Sequence, residues 1–189
     1  MSGIGHNQGP SIAPGAGWRR YAWGKARADL LPKLPIEVLR GRIRRAKELG
    51  LDYKSYASIR ATSGRDVIAF LFSSNALRIE PQAISMPASR AAKLGAIRYS
   101  GRLALVHAPL DPARVLAMNP ELEGAARAPS LVQSWSETRD VVQAFTSAHG
   151  FAGDGVVLVG ETPLEREWLA AGKLAGFVTA ERYFQESVQ

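Results

Sequence analysis

The sequence predicts an α/β protein with a small Rossmann-like, three-layer sheet of three or four mostly parallel strands, preceded by an N-terminal helical segment. Two observations predict this fold class. From residue 66 onward, short and unbroken apolar runs alternate with stretches of helical periodicity. Apolar runs without polar alternation are typical of strands that are buried on both faces of a parallel sheet. Strand–helix–strand repeats also need crossover connections, which place helices on both faces of the sheet.

Composition divides the chain into a flexible tail at 1–16, a basic helical segment at 17–65 and an α/β domain at 66–189. The tail is rich in Gly and Pro and contains no Lys, Arg, Asp or Glu, so it buries too little apolar surface to offset the entropy of ordering. The basic segment carries 13 Lys and Arg against 4 Asp and Glu, whereas the α/β domain carries 11 against 13. The net charge of +7 is therefore concentrated in the basic segment, where it favours contact with phosphates or acidic surfaces.

Three helices are predicted in the basic segment. The first covers Trp18–Leu31 and ends at a proline. The second, Ile36–Leu49, is amphipathic, and Gly50 provides its C-cap. The third, Tyr53–Ala61, begins after the N-cap Asp52. The apolar stripe of the second helix consists of Ile36, Leu39, Ile43, Ala46 and Leu49.

Four apolar runs predict the strands of the α/β domain. Three strong runs and a weaker fourth cover Val67–Phe72, Leu103–His107, Val156–Val159 and Phe177–Val178. Helices are predicted between them, one from Pro87 to Leu94 and a short one after Asp111. Capping boxes at Ser130–Gln133 and Thr162–Glu165 predict two more, the first of which runs to His149. The apolar stripe of that long helix is predicted to be Leu131, Trp135, Thr138, Val142 and Phe145.

Polar side chains follow the predicted strands at the edge where α/β proteins bind ligands. Ser73 and Asn75 follow the first strand, His107 ends the second and Glu161 follows the third. A hydroxyl, an imidazole and a carboxylate at one edge supply a nucleophile, a base and an orienting group, so these four residues are the candidate catalytic set. Strand ends are also where polar turn and cap residues belong, which is the alternative interpretation.

The two helices around Gly50 resemble a helix-turn-helix in spacing. Such a motif wants a small residue in the first helix, a glycine in the turn and apolar residues that pack the second helix back, and the residues that fit are Ala46, Gly50, Leu51, Tyr56 and Ile59. Arg45 stands where these motifs usually place an apolar residue. A basic hairpin packed on the α/β domain is the alternative interpretation. The candidate nucleic-acid-binding residues are Arg40, Arg42, Arg44, Arg45, Lys47, Lys54 and Arg60.

The first third of the chain is similar to a group of small alphaproteobacterial proteins. Gly3–Pro10 reads Gly-Ile-Gly-His-Asn-Gln-Gly-Pro, which resembles the Gly-Ile-Gly-His-Asn-x-Gly-Pro start of that group. Arg45–Tyr56 resembles the Arg-Ala-x-x-Leu-Gly-Leu-x-Tyr-x-x-Tyr stretch that some of its members carry. The resemblance implies a bacterial, cytoplasmic source and brings no activity with it. It also allows the tail to be a short docking peptide.

Composition narrows the function classes. The absence of cysteine excludes disulfides, zinc ribbons and thiol catalysis, and the three histidines are too far apart in sequence for a paired metal motif, so neither a metal nor a cofactor is predicted. No apolar run approaches the roughly 20 residues of a membrane span, and we expect a cytoplasmic protein. The first hypothesis is a nucleic-acid-associated or regulatory protein that binds DNA or RNA through basic helices 36–61. The alternatives are a small cytoplasmic hydrolase or transferase with its site at the strand ends, and a protein–protein interaction module for an acidic partner.

Overall fold

The computed structural model describes residues 34–130 and 132–185. The predicted tail at 1–16, with its Gly-Ile-Gly-His motif, and the predicted helix Trp18–Leu31 lie outside the described residues. No helix in the part that is described is long and apolar enough to cross a bilayer. From Arg40 onward the chain forms one compact unit, in which helices from the basic segment share a core with the sheet.

The chain alternates strands and helices from residue 69 onward. The strands are β1 (Ala69–Ser73), β2 (Gly101–Val106), β3 (Gly124–Arg127), β4 (Val156–Gly160) and β5 (Gly176–Thr179). The helices are α1 (Ile36–Glu48), α2 (Tyr53–Ser63), α3 (Ala88–Ala96), α4 (Pro112–Met118), α5 (Trp135–Ala148), α6 (Pro163–Ala171) and α7 (Ala180–Phe184), with one 3₁₀ turn at Gly153–Gly155.

The five strands form one parallel sheet in the order β3-β2-β1-β4-β5. Leu71 in the central strand β1 lies opposite Leu103 on one side and Leu158 on the other. The predicted α/β fold class, with a parallel sheet between helices, is confirmed. The strand that the sequence missed is β3, which reads Gly-Ala-Ala-Arg and lies at the edge of the sheet. A short edge strand with small side chains contains no apolar run, so the pattern of apolar residues does not predict it.

Alternate side chains of the strands pack into two separate core layers. On one face, Phe70 and Phe72 of β1 pack with residues of α1 to α4 and α7, among them Tyr56 and Tyr183. On the other face, Leu71 and its neighbours pack with α5 and α6, including Trp168. β1 and β4 are fully buried and β2 is buried at every position but Arg102, which is the reason that these sequences show no polar alternation.

The long helix α5 begins later than the sequence predicts. Its capping box is Ser134 and Glu137, where the Ser134 Oγ accepts from the Glu137 N–H at 3.3 Å and the Glu137 carboxylate accepts from the Ser134 N–H at 2.7 Å. The predicted box at Ser130–Gln133 instead closes a turn, in which the Gln133 Oε1 accepts from the Ser130 N–H at 2.7 Å. Trp135, which the predicted stripe placed inside, is 55% exposed, while Val142 is fully buried. The later Ser-x-x-Glu pair has a carboxylate to accept the N-cap amide, which complements the helix dipole better than the Gln133 amide does.

Helices α1 and α2 pack against the sheet through the positions that the helix-turn-helix comparison assigned to packing. Ala46 of α1, Leu51 after it and Ile59 of α2 belong to the same core layer as Phe70 and Phe72 of β1. Gly50 between the helices has a φ of 66°, which is left-handed backbone that favours glycine. Ile43 remains 38% exposed, whereas Ala46 and Leu49 are buried. From Arg40 onward, the predicted apolar stripe is therefore buried only at these last two positions.

Candidate ligand site at the carboxyl edge of the sheet

A cavity of about 520 Å³ opens at the carboxyl ends of the parallel strands. From β1 the chain builds β2 and β3 on one side of the sheet, and it then crosses to build β4 and β5 on the other side. Ligands of open α/β sheets bind where the strand order reverses in this way, beyond the carboxyl ends. The polar side chains that line this carboxyl-edge cavity are Asn75, His107, Arg127, Ser130, Gln133 and Thr162.

A buried carboxylate lies beneath the cavity and joins the turns that follow β1 and β4. Glu165, in the first turn of α6, is fully buried. Its Oε1 accepts a hydrogen bond from the Asn75 Nδ2 at 2.9 Å. Its Oε2 accepts from the backbone N–H groups of Glu161 at 2.6 Å and Thr162 at 3.0 Å. Three donors compensate for the loss of hydration of this carboxylate, which is the condition for burying a charged group.

His107 is hydrogen-bonded to Ser74 on one side of its ring and faces the Glu165 carboxylate on the other. The Oγ of Ser74 lies 2.9 Å from Nδ1 and also accepts from the His107 backbone N–H at 3.1 Å. The Nε2 atom lies 3.6 Å from the Oε1 of Glu165. A carboxylate beside Nε2 favours a proton on that nitrogen, so we assign Nδ1 as the acceptor of the Ser74 hydroxyl and Nε2 as an N–H donor.

The environment of His107 keeps its ring neutral. Burial lowers the pKa of the imidazole below its usual value, and the nearby carboxylate of Glu165 opposes that shift only in part. The ring also stacks on Trp168, with centroids 5.4 Å apart and an interplanar angle of 29°. With 24% of its side chain exposed, His107 still reaches the cavity. The site therefore presents a neutral, oriented N–H donor at neutral pH.

Arg127, at the end of β3, supplies a second donor to the lining of the cavity. One of its terminal nitrogens, Nη1, donates to the carbonyl oxygen of Leu110 at 2.5 Å, which holds the side chain in place. A guanidinium has five N–H groups, so this bond leaves donors for a ligand. The lining also includes the apolar residues Ala108, Ala128 and Pro129. The cavity thus combines an apolar surface with two oriented donors, which suits an organic molecule that carries an oxygen acceptor.

The four candidate catalytic residues occupy three different environments. Asn75 and His107 line the carboxyl-edge cavity together, and both face the carboxylate of Glu165. Ser73 is fully buried, and its Oγ accepts from the Ala76 N–H at 3.0 Å, so it closes a turn and does not line this cavity. Glu161 is exposed on an adjoining cavity of about 430 Å³ that shares Asn75 and Thr162 with the first.

Sequence reasoning missed Glu165 as a site residue. Its position in the Thr162–Glu165 capping box was the available signal, and the structure has that box, since the Thr162 Oγ1 accepts from the Glu165 N–H at 3.3 Å. A capping glutamate is usually exposed, but the turn after β1 covers this one and brings Asn75 to it. That approach joins residues 90 positions apart, which local spacing does not reveal.

Two of the candidate nucleic-acid-binding arginines serve the fold itself. Arg45 donates from Nε to the Asp66 carboxylate at 3.2 Å and from Nη2 to the carbonyl oxygens of Val67 and Tyr99, both at 3.0 Å. Its side chain is only 17% exposed, which explains how an arginine fits where a helix-turn-helix usually has an apolar residue. Arg60 lies 3.5 Å from the same Asp66 carboxylate.

The other basic candidates lie nearer the solvent. Arg40, Arg44, Lys47 and Lys54 are exposed, and Arg42 is half-buried. Arg40, Arg44 and Lys47 are spaced by four and three positions along α1, so they lie on one side of that helix. Arg40, Arg44 and Lys47 therefore form an exposed basic row on α1. Arg45 does not belong to this row, because its side chain binds groups within the fold.

No group of three or more His, Asp or Glu side chains comes together as a metal site within 34–130 and 132–185. The chain matches no protein-family model, no curated protein and no solved structure. The features that bear on function are therefore the carboxyl-edge cavity and the basic row.

Proposed function

We propose that this chain is a small cytoplasmic enzyme of the hydrolase or transferase class that binds an organic substrate in the carboxyl-edge cavity. The observation that carries the proposal is the placement of the buried Glu165 carboxylate against both Asn75 and His107 on one side of that cavity. A fully buried carboxylate that faces an amide and an imidazole at the strand-order reversal favours a preorganised site over an ordinary cap.

In this proposal the protein stabilises charge and does not itself attack the substrate. Ser73 at the end of β1 and Ser74, whose Oγ contacts His107, are both buried and do not face the cavity as nucleophiles. The Nε2–H of His107 and the guanidinium of Arg127 instead donate to a substrate oxygen as it gains negative charge in the transition state. The attacking group is then water in a hydrolase, or the acceptor substrate in a transferase.

A chromogenic assay tests the proposal, with p-nitrophenyl acetate and p-nitrophenyl phosphate as probes. We expect turnover of at least one probe, and a loss of about 10²-fold in His107→Leu, which removes the N–H that stabilises the transition state. His149→Leu is the matched control, because His149 lies beside Gly124 at the start of β3, away from the carboxyl ends of the strands. Equal activity in wild type and His107→Leu, or equal losses in both histidine variants, would count against the proposal.

A second candidate function is polyanion binding through the basic row of Arg40, Arg44 and Lys47 on α1. The specific observation in its favour is that these three residues remain exposed on one side of the helix. DNA or RNA fits such a row, and affinity for either would fall steeply with salt because neutralised phosphates release counterions. An acidic protein surface is the other partner of matching charge.

Gel shifts at low and raised salt test this second candidate. Arg44→Glu with Lys47→Glu should abolish binding, and Arg45 is left unchanged because its side chain holds the fold together. Arg114→Glu with Arg139→Glu makes the same change in charge on α4 and α5 and should bind as wild type does. No shift at low salt, or equal losses in both double variants, would exclude the basic row as the contact.

A further inference from the structure

A second concave site lies between the loop after β1 and the first turn of α3. It has a volume of about 410 Å³ and is lined by Arg78, Ser89, Arg90, Lys93 and Phe184, with two further residues of α3 and its N-cap. None of its lining residues lines the carboxyl-edge cavity. Every charged side chain in this lining is cationic, so we refer to it as the basic pocket.

Arg90 is buried in the wall of this pocket without a partner for one of its nitrogens. The residue is only 8% exposed, and no described residue accepts a hydrogen bond from its buried Nη1. Its guanidinium lies over the ring of Phe184, with Cζ 4.4 Å from the centroid, so the side chain is fixed in orientation. A buried donor left unpaired is costly, and the cost is greater for a charged group.

Arg78 adds a second guanidinium to the same pocket. It is exposed and adopts a φ of 52°, which is uncommon for an arginine, so the turn after β1 holds it in an unusual conformation. Burial lowers the pKa of Arg90, the charge of Arg78 lowers it further, and the carboxylate of Glu161 partly opposes both. Two like charges at one pocket repel each other, and an anion between them would remove that repulsion.

The amino end of α3 supplies the third element. The helix runs over nine residues from Ala88, and Pro87 at its N-cap position offers no side-chain cap. The first N–H groups of an α-helix have no partner within the helix, and together with the helix dipole they favour an anion. Ser89, in this first turn, also lines the pocket.

Lys93 adds a positive charge to the basic pocket, although its ammonium group already has a hydrogen-bond acceptor within the chain. Its Nζ donates to the backbone carbonyl of Tyr183 and lies 4.8 Å from the centroid of the Tyr183 ring. The hydrogen-bonding groups for a ligand are therefore Arg78, Arg90 and the first turn of α3.

From this geometry we infer that the basic pocket binds a phosphate-type oxyanion, with Arg90 and Arg78 donating from their guanidinium groups and the first turn of α3 donating from backbone N–H groups. A tetrahedral oxyanion offers several acceptor oxygens, which matches donors that converge from two side chains and a helix end. The source of the phosphoryl group is either free inorganic phosphate or a small phosphomonoester.

Isothermal titration of the full chain tests this inference, with inorganic phosphate and glycerol 3-phosphate as separate probes in a chloride buffer of low ionic strength. We expect binding of at least one probe and a loss of tenfold or more in affinity in both Arg78→Gln and Arg90→Gln. Tighter binding of glycerol 3-phosphate identifies a phosphomonoester site, and equal or weaker binding identifies a site for the free ion. Arg114→Gln, an exposed arginine on α4, is the control and should bind as wild type does.

Arg78→Gln is expected to keep the fold intact, because Arg78 is exposed whereas Arg90 packs on Phe184. A loss of binding in this variant therefore reports on the pocket and not on misfolding. No heat of binding for either probe, or unchanged affinity in Arg78→Gln, overturns the inference.

Discussion

The Oε1 atom of Glu165 accepts a hydrogen bond from the Nδ2 atom of Asn75 at 2.9 Å, across 90 positions of sequence. This contact joins the turn after β1 to the helix after β4 at the point where the strand order reverses. The other carboxylate oxygen accepts two backbone N–H groups, so the side chain is fully occupied by protein donors. Glu165 therefore acts as a positioning residue for the cavity above it.

Glu165→Gln should destabilise the protein. A glutamine retains one acceptor oxygen but directs an NH₂ group toward donors, so at least one buried donor loses its partner. We expect a loss of about 1–3 kcal/mol in the free energy of unfolding, measured by urea denaturation. Glu167→Gln, on the exposed side of the same helix, is the control and should leave the midpoint unchanged. Equal midpoints for all three proteins would mean that the carboxylate does not hold the two turns together.

His107 should make stability depend on pH in the acidic range. Its pKa in the folded state is lowered from the usual 6.5, chiefly by burial, so the unfolded chain takes up the proton first as the pH falls. The contribution of neutral His107 to stability is complete above about pH 6.5 and is lost as the pH falls through the folded-state pKa. Unfolding midpoints measured over this range should show the slope in wild type and a smaller slope in His107→Gln. Identical slopes would assign the pH dependence to other groups.

Arg45→Gln should cost far more stability than the same change at its neighbour Arg44. The Arg45 guanidinium joins Asp66 to the carbonyl oxygens of Val67 and Tyr99, whereas Arg44 is exposed. Removing it leaves these acceptors without their charged donor, at about 1–3 kcal/mol or more. Thermal unfolding of the two variants side by side measures the difference. A similar melting temperature for both would show that Arg45 is not required by the fold.

Gly160→Ala should disturb the site through the carboxylate beneath it. A Cβ atom at Gly160 would lie 2.8 Å from Cε2 of Phe177 and 3.0 Å from Oε2 of Glu165, so at least one of these groups must move. We expect lower stability together with weaker ligand binding in the carboxyl-edge cavity. Gly95→Ala is the control, because a Cβ there meets nothing within 4 Å and alanine is favoured in a helix by about 0.5–1 kcal/mol. A stability for Gly160→Ala that matches or exceeds wild type would contradict the expected displacement.

Local chemistry was sufficient to predict most of the elements. The apolar runs that became β1, β2 and β4 are visible without partners, because each of these strands buries both faces. A helix cap was also predicted from local sequence. The Asp52 carboxylate accepts from the Ser55 N–H at 2.9 Å, as its position before α2 predicted. The short strand β3 was not predicted because it contains no apolar run, and the later start of α5 was not predicted because the sequence offers a second capping pair, Ser134 and Glu137, after Ser130 and Gln133.

The division between the sequence and the tertiary structure is clearest in the charged residues. By itself the sequence determined the α/β class, the parallel sheet and the concentration of positive charge before residue 66, because periodicity and composition are properties of short stretches of chain. Only the tertiary structure decided that Glu165 lies against Asn75 and His107 and that Arg45 serves the fold. It also left a nitrogen of Arg90 buried without a described partner. A charged side chain takes its role from whichever groups folding brings to it, and the partners of Glu165 and Arg45 lie up to 90 positions away in sequence.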